Sequence, residues 1–154
     1  MLLLNCVGYF GGNCMTNKVE LAYAIALVAH KGQVDKAGVD YINHPLAVAS
    51  KVNGDNAKIV ALLHDVVEDT KVTLDDLRLF FDDEIIEAIN LLTHREEDDY
   101  MTYLAKIKAN ELARMVKLAD LENNMDLSRL PNPTECDYQR LENKYKPAYK
   151  FLTE

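Results

Sequence analysis

Apolar residues recur at helical spacing along most of the chain, and strong turn residues separate the stretches. A first helix is predicted from Asn17 to residue 29, because Asn17 and Glu20 have the spacing of a capping box. Residues 32–44 contain Gly38 and end before Pro45, which is typical of a loop. Pro45 suits the first turn of a short helix over residues 46–52.

Local signals divide the rest of the chain in the same way. Thr73 and Asp76 have capping-box spacing, Asn110 marks a helix boundary, and residues 130–133 are typical of a stiff loop. Residues 95–99 form a charged run that we expect to be solvated. The remaining helices are predicted at 56–69, 74–81, from 82 or 83 to 92, 100–108, 111–124 and 135–152. Since the sequence has no convincing strand, repeat or low-complexity segment, we expect one all-α domain.

The composition fits a globular domain with a full hydrophobic core. The 154 residues are 49% hydrophobic and 27% charged, and 17 basic against 25 acidic residues give a net charge of −8. This charge argues against nonspecific binding of nucleic acid or anionic membranes. An anionic substrate would need a metal ion or a local cluster of lysine and arginine to attract it.

The three cysteines, Cys6, Cys14 and Cys136, have neither metal-site spacing nor a paired framework. An odd number without a secretion signal predicts a reducing, cytoplasmic environment. The apolar run at residues 1–4 lacks a basic start and is too short for a signal or a membrane span. We expect residues 1–14 to be a disordered or non-native N-terminal extension, and residues 15–154 to form the domain.

The most informative segment is HDVVED at residues 64–69, between apolar neighbours. On a continuous helix, residues three and four apart share a face, so His64, Asp65, Glu68 and Asp69 would lie together. Carboxylates this close repel one another and are costly to bury, so a cation must compensate for them. A divalent metal ion is the simplest candidate.

Two further positions extend this set. His44 lies between a loop and Pro45, and Asp120 shares a helix face with Asn124. His44, His64, Asp65 and Asp120 make a two-histidine, two-carboxylate set that suits Mn²⁺, Fe²⁺, Zn²⁺ or Mg²⁺. The alternative is that His64 is a packed core histidine and Asp65 a carboxylate on a helix surface.

At this point the sequence resembles the hydrolase domain of the RelA/SpoT-type alarmone enzymes, in the HD-domain superfamily of metal-dependent phosphohydrolases. The matching stretches have the family's order and compatible separations across residues 18–130. They are AHKGQ at 29–33, YINHPLAVA at 41–49, ALLHDVVEDT at 61–70 and VKLAD at 116–120. The resemblance implies an HD-domain helical bundle and removal of pyrophosphate from the 3′ position of ppGpp or pppGpp.

The resemblance also implies roles for particular residues. His44, His64, Asp65 and Asp120 match the metal ligands, and the metal ion is usually Mn²⁺. Glu68 and Asp69 match the pair that activates the attacking water. Asn124 matches an amide near the ribose and phosphates, and Lys36 and Lys117 match basic positions, although Lys117 could equally be a solvated helix residue. Tyr41 would either pack against substrate or fill the core, whereas His30 and His94 match no ligand position.

Several positions depart from the family's pattern, and all of them lie near the expected substrate. Asp35 stands where the family usually has an arginine that packs on the guanine base, and an acid cannot make that cation–π contact. Residues 121–124 are LENN where Arg-Leu-His-Asn is common, and Asp126 replaces an arginine. The length is also expected to leave no room for the alarmone synthetase domain or the regulatory C-terminal domains.

Three hypotheses follow for a small-molecule nucleotide ligand, and the sequence leaves the oligomeric state open. The first is a small 3′-pyrophosphohydrolase for guanosine alarmones. The second is an HD phosphohydrolase for another nucleotide or phosphorylated metabolite, motivated by Asp35 and Asp126. The third is a nucleotide-binding or partner-binding module without turnover. Glu68 and Asp69 argue against the third, since a pure binder has no use for them.

Overall fold

The chain folds into helices joined by short turns, as the hydrophobic spacing predicts. The computed structural model describes residues 17–154, so the prediction made for residues 1–14 lies outside the described part. Within this part the regular elements are helical, and an isolated antiparallel bridge joins Val34 and Asp40. The all-α fold class is therefore confirmed. The helices are α1 Lys18–Ala29, α2 Asn43–Ser50, α3 Asp55–Leu63, α4 Val66–Asp69, α5 Leu74–Arg78, α6 Asp83–Leu92, α7 Tyr100–Lys108, α8 Glu111–Met125, α9 Glu135–Arg140 and α10 Lys146–Thr153.

Helix α3 lies at the centre of the bundle and packs against α1, α2, α6 and α8. Six of its nine residues are buried, and Ile59, Val60 and Leu63 are essentially inaccessible to solvent. A helix that is apolar on nearly every side must be enclosed by neighbours. Burying each large aliphatic side chain stabilises the fold by about 1.5–3 kcal/mol. Because α3 ends at Leu63, the next two residues lie at the edge of the core.

The predicted continuous helix over residues 56–69 is wrong, because the chain turns at His64 and Asp65. Helix α3 ends at Leu63, and the single-turn α4 begins at Val66. Adjacent side chains on a regular helix point about 100° apart. The turn lets both side chains face one point, with His64 Nε2 lying 3.1 Å from Asp65 Oδ2.

Helix starts were predicted with mixed success. Thr73 and Asp76 form the predicted capping box at α5. Asn17 caps α1 by accepting a hydrogen bond from the Val19 amide, without the capping box expected with Glu20. The expected loop is confirmed over residues 32–42, but α2 begins at Asn43 rather than at residue 46, so His44 lies in the helix and not in the loop. Pro45 still lies in the first turn, where its missing N–H costs no hydrogen bond.

The predicted helix over residues 135–152 is confirmed as a continuous helical segment, but it contains a π-helical turn that was not predicted. A π-helical turn, Leu141–Tyr145, separates α9 from α10. Pro147 has no amide hydrogen for the carbonyl of Asn143, and its ring would clash there, so the regular ladder is interrupted. This turn brings Lys144 and Tyr145 to the cavities described below. No helix within residues 17–154 is long and apolar enough to cross a bilayer.

Candidate metal centre and its two cavities

Four side chains meet where α2, the turn after α3, and α8 come together. His44 Nε2 lies 3.2 Å from Asp120 Oδ1 and 3.5 Å from Asp65 Oδ2. His64 Nε2 lies 3.1 Å from Asp65 Oδ2 and 3.8 Å from Asp120 Oδ1. The donor atoms of His44, His64 and Asp120 all lie within 4.8 Å of one another. The structure thus brings together the four residues that the sequence predicts as metal ligands.

Both imidazoles are oriented by a hydrogen bond at the ring nitrogen farther from the cluster. His64 Nδ1 lies 2.7 Å from the Ala61 carbonyl oxygen, and His44 Nδ1 lies 2.8 Å from Asn123 Oδ1. Since these oxygens accept, each Nδ1 donates its proton to them, and the Nε2 of a neutral ring can offer a lone pair to a cation. His64 Nε2 is buried and makes no hydrogen bond within residues 17–154. Two imidazole nitrogens facing two carboxylates fit a divalent metal ion.

The charges within the cluster are strongly coupled. Burial by itself would raise the pKa of Asp65, but the neighbouring imidazoles lower it to about 2. Burial would likewise lower the pKa of the His64 imidazole, but Asp65 and Asp120 hold it well above its usual range. Despite burial, Lys117 and the two imidazoles keep the pKa of Asp120 well below the ordinary value. Both carboxylates are therefore ionised at neutral pH, as metal ligands must be.

Three further side chains hold the two carboxylates in place. The Tyr41 hydroxyl donates a hydrogen bond to Asp65 Oδ2 at 2.6 Å, and Asn124 Nδ2 donates to Asp120 Oδ1 at 2.7 Å. The ammonium of Lys117 lies 2.9 Å from the other oxygen, Asp120 Oδ2. The predicted substrate-binding residues Tyr41, Asn124 and Lys117 thus all contact the cluster itself.

The larger of two cavities beside the cluster has a volume of about 370 Å³. Glu68 and Asp69, the predicted catalytic pair, line it together with the predicted substrate residues Lys36, Tyr41 and Asn124. Lys36 makes an ion pair with Asp137 at 2.5 Å. The cluster residues His44, Asp65 and Asp120 also line this cavity, and the rest of its wall is formed by Val34, Asp35, Leu127, Arg129, Leu130, Asp137 and Tyr145.

Glu68 and Asp69 are suited to exchange protons in this cavity. Glu68 Oε2 accepts a hydrogen bond from the His94 amide at 2.8 Å, which fixes the carboxylate. Burial and the charges of Asp65 and Asp69 raise the pKa of Glu68, although the bond from His94 partly opposes them. Burial and the charge of Asp65 also raise the pKa of Asp69. A carboxylate with a raised pKa is a better proton acceptor than an ordinary surface carboxylate.

A smaller cavity, of about 180 Å³, adjoins the same cluster. It is lined by Lys117, Lys144 and His94, together with tyrosines from α7 and the π-helical turn. The lysine and arginine residues of the two cavities differ: Lys117 and Lys144 line the smaller cavity, whereas Lys36 and Arg129 line the larger one. The two cavities share Asp65, Glu68, Asp120, Asn124 and Tyr145, so the cluster lies between them.

Sequence reasoning missed Asn123, Arg129, Lys144 and Tyr145. Asn123 follows Asp120 by three residues and Arg129 lies in a short 3₁₀ turn, so neither carries a motif of its own. Lys144 and Tyr145 lie in a segment predicted to be an ordinary helix. His30 lies outside the cluster and bonds Gln33 Oε1 at 2.8 Å, which agrees with its expected non-ligand position.

Comparisons with known proteins agree with the resemblance expected from the motifs. A GTP pyrophosphokinase of Streptomyces coelicolor is 37% identical over 134 aligned positions, covering 73% of this chain. The bifunctional (p)ppGpp synthase/hydrolase SpoT of Escherichia coli is 30% identical over 123 positions, covering 70% of the chain. A probable guanosine-3′,5′-bis(diphosphate) 3′-pyrophosphohydrolase of Synechocystis is 35% identical over 120 positions, covering 68%. The matched regions make up only 15%, 18% and 16% of these relatives.

The solved structure of a metazoan ortholog of SpoT, described as hydrolysing ppGpp, has the same fold. It superposes with a TM-score of 0.74 over 94% of this chain and 88% of its own, at 21% identity. The sequence model of the HD domain matches residues 22–123, which carry all four residues of the cluster and both Glu68 and Asp69. The chain therefore belongs to the HD domain family, and the resemblance to RelA/SpoT-type hydrolases is confirmed.

Proposed function

We propose that this protein is a metal-dependent phosphohydrolase that removes pyrophosphate from the 3′ position of ppGpp or pppGpp, yielding GDP or GTP. The observation that carries the proposal is the arrangement around the His/Asp cluster, where Glu68 and Asp69 line the same cavity as its ligand atoms. The similarity to proteins named as (p)ppGpp hydrolases supports the same substrate. We further propose that it acts in the cytoplasm on this small nucleotide.

In this proposal His44, His64, Asp65 and Asp120 hold the metal ion, which we take to be Mn²⁺. A divalent cation there lowers the pKa of water toward neutrality and offsets the charge of the phosphates. Tyr41, Asn123, Asn124 and Lys117 act on the ligands, because each hydrogen-bonds or pairs with one of them. Such supporting bonds orient the ligands and fix their protonation.

Glu68 and Asp69 take the proton from the attacking water in this proposal. The water oxygen bonds to the phosphorus attached to the 3′ oxygen, and the bond from that phosphorus to the 3′ oxygen breaks. The carboxyl group that took the proton returns it to the leaving 3′ oxygen, so the products are pyrophosphate and GDP or GTP. The raised pKa values of both carboxyls support this role, because they favour proton uptake from water.

The two cavities support a division of the substrate across the cluster. The larger cavity has the volume for a nucleoside and some apolar side chains on its wall, and Lys36 and Asn124 would face the ribose and 5′-phosphates. The smaller cavity carries Lys117 and Lys144, whose charges suit the departing pyrophosphate. In a chain with a net charge of −8, such local basic groups are needed to attract a substrate of this kind.

A second candidate is hydrolysis of another phosphorylated nucleotide, and Asp35 favours it by replacing the family's base-contacting arginine. A panel of nucleotides with Mn²⁺ separates the two: ppGpp, pppGpp, the corresponding adenosine 3′,5′-bis(diphosphate), GTP and a 5′-nucleoside monophosphate. Release of pyrophosphate and GDP from ppGpp, with little turnover of the other classes, would support the proposal. Turnover of another class alone would favour the second candidate.

The variant Glu68→Gln separates an enzyme from a binding module. The amide keeps the acceptor for the His94 amide but cannot take a proton, so metal content should be retained while turnover falls. Metal content is measured by elemental analysis of the dialysed protein. Lost metal together with lost turnover would mean that Glu68 supports the site rather than the chemistry.

A further inference from the structure

Asp35 pairs with Arg129, a residue 94 positions away in the sequence. Arg129 Nη1 lies 3.4 Å from Asp35 Oδ2, and both side chains line the larger cavity. The pair joins the loop after α1 to the 3₁₀ turn after α8, Leu127–Arg129. The cavity thus contains a guanidinium beside position 35, although position 35 itself is acidic.

The Asp35 carboxylate is held rigidly by its own loop. Its Oδ1 accepts hydrogen bonds from the amides of Ala37 at 2.8 Å and Val39 at 3.0 Å. The loop turns at Gly38, whose φ of 76° is readily adopted only by glycine. With Oδ1 occupied in this way, Oδ2 is left to orient the guanidinium of Arg129.

Arg129 has donors that remain available in the cavity. Within residues 17–154 its side chain makes one hydrogen bond, the long contact from Nη1 to Asp35, and 28% of the side chain is exposed. The second amino group, Nη2, makes no hydrogen bond within the described residues, so it can donate to an acceptor on a ligand. Val34, Leu127 and Leu130 line the same cavity, so its wall offers apolar surface as well as the guanidinium.

This environment favours a nucleobase over a phosphate as the partner of Arg129. The charges of Asp35 and Arg129 largely cancel, so the pair adds little net attraction for an anion. A guanidinium is planar and weakly hydrated, stacks on aromatic rings, and matches the O6 and N7 acceptors of guanine with two donors. Adenine offers a donor in place of O6 and cannot accept both hydrogen bonds.

We propose that Arg129, oriented by Asp35, contacts the guanine base and makes the larger cavity selective for guanine over adenine nucleotides. The inference rests on the proposed function for the position of the nucleotide, and it assigns to Arg129 the guanidinium that the family supplies at position 35. Asp35 is then a positioning residue, and its acidity holds the relocated arginine rather than removing base recognition.

The test is calorimetric binding of GDP and of ADP to the full chain with Mn²⁺ present. Wild type should bind GDP more tightly than ADP. Arg129→Gln should weaken GDP binding by about tenfold or more and change ADP binding less than about twofold, so the preference collapses. Arg78→Gln is the matched control, because Arg78 makes an exposed ion pair with Asp75 on α5 and should leave both affinities unchanged.

Asp35→Asn tests the positioning role, because asparagine keeps an oxygen for the two loop amides and loses only the charge. The GDP preference should fall by about threefold, short of the loss in Arg129→Gln, since the guanidinium loses its anchor. A merely structural role would lower both affinities together. Arg129→Lys keeps the positive charge but lacks the planar pair of donors, so it should fold normally and still lose the preference for GDP over ADP.

Equal losses for GDP and ADP in Arg129→Gln would place Arg129 against a phosphate and overturn the inference, as would unchanged GDP affinity. Failure of the proposed function looks different. A chain that does not hydrolyse ppGpp but loses its GDP preference on Arg129→Gln would retain this inference. A chain that hydrolyses ppGpp while Arg129→Gln keeps its preference would refute this inference alone.

Discussion

The hydrogen bond between Asn123 and His44 offers a test of how the cluster is held. In the wild-type protein, His44 Nδ1 lies 2.8 Å from Oδ1 of the half-buried Asn123 side chain. The variant Asn123→Ala removes this hydrogen-bond acceptor. The ring is then free to rotate and to protonate either nitrogen. Ligand-orienting partners of this kind typically contribute 10- to 100-fold to metal affinity, which is about 1.4–2.8 kcal/mol.

The predicted loss can be measured in two ways. Titration of the metal-free protein with Mn²⁺ should give a dissociation constant about 10- to 100-fold higher in Asn123→Ala than in wild type. In saturating Mn²⁺, a tenfold weaker site should also lower the metal-dependent stabilisation by about 1.4 kcal/mol, seen as a smaller thermal shift.

Two controls decide how the result is read. Asn123→Asp keeps an acceptor for His44 Nδ1, so metal affinity should be retained or strengthened. Asn90→Ala alters an asparagine on α6, which contacts Arg95 and no residue of the cluster, and should bind metal as wild type does. Equal Mn²⁺ affinities in wild type and Asn123→Ala, with helicity unchanged, would refute the reasoning.

Three further predictions concern charge and packing. Lys117→Met removes the partner of Asp120 and should lower the unfolding free energy of the metal-free protein by about 3 kcal/mol. The metal-loaded protein should lose less, and equal losses of unfolding free energy in the two forms, measured by chemical denaturation, would contradict this. The raised pKa of His64 stabilises the metal-free fold below pH 6.5, a contribution lost as pH rises through the raised pKa. At pH 7 metal binding should therefore release about one proton, and calorimetry in buffers of different ionisation enthalpy that detects none would exclude this. Leu104→Ala, at a fully buried site on α7, should cost about 2–5 kcal/mol of unfolding free energy; less than about 1 kcal/mol would indicate looser packing there.

Several features of the fold could be predicted because their causes are local. The capping box at Thr73 and Asp76 and the cap at Asn110 specify helix starts within a few residues. Apolar spacing likewise indicates which faces are buried, as in α6, where Ile85, Ile89 and Leu92 are buried. The family motif brought together His44 and Asp120, which neither spacing nor periodicity could have paired across 76 positions of sequence.

Other features depend on contacts between distant segments. The turn at His64 and Asp65 contains no glycine or proline from which it could be predicted. Its role is evident only in the structure, where both side chains face one cluster. Pro147 signals an interrupted helix, but not that the interruption is a π-helical turn facing a cavity. In the sequence, Asp35 suggests that recognition of the base has been lost. In the structure, its contact with Arg129 suggests that another arginine recognises the base.

Turnover of ppGpp by the purified protein with Mn²⁺ tests the central claim most directly. The products should be pyrophosphate and GDP, and turnover should vanish with EDTA and in Asp65→Ala, which removes a carboxylate 3.1 Å from His64 Nε2. Absence of turnover in a wild-type protein that demonstrably binds Mn²⁺ would contradict the claim, and so would turnover that survives in Asp65→Ala.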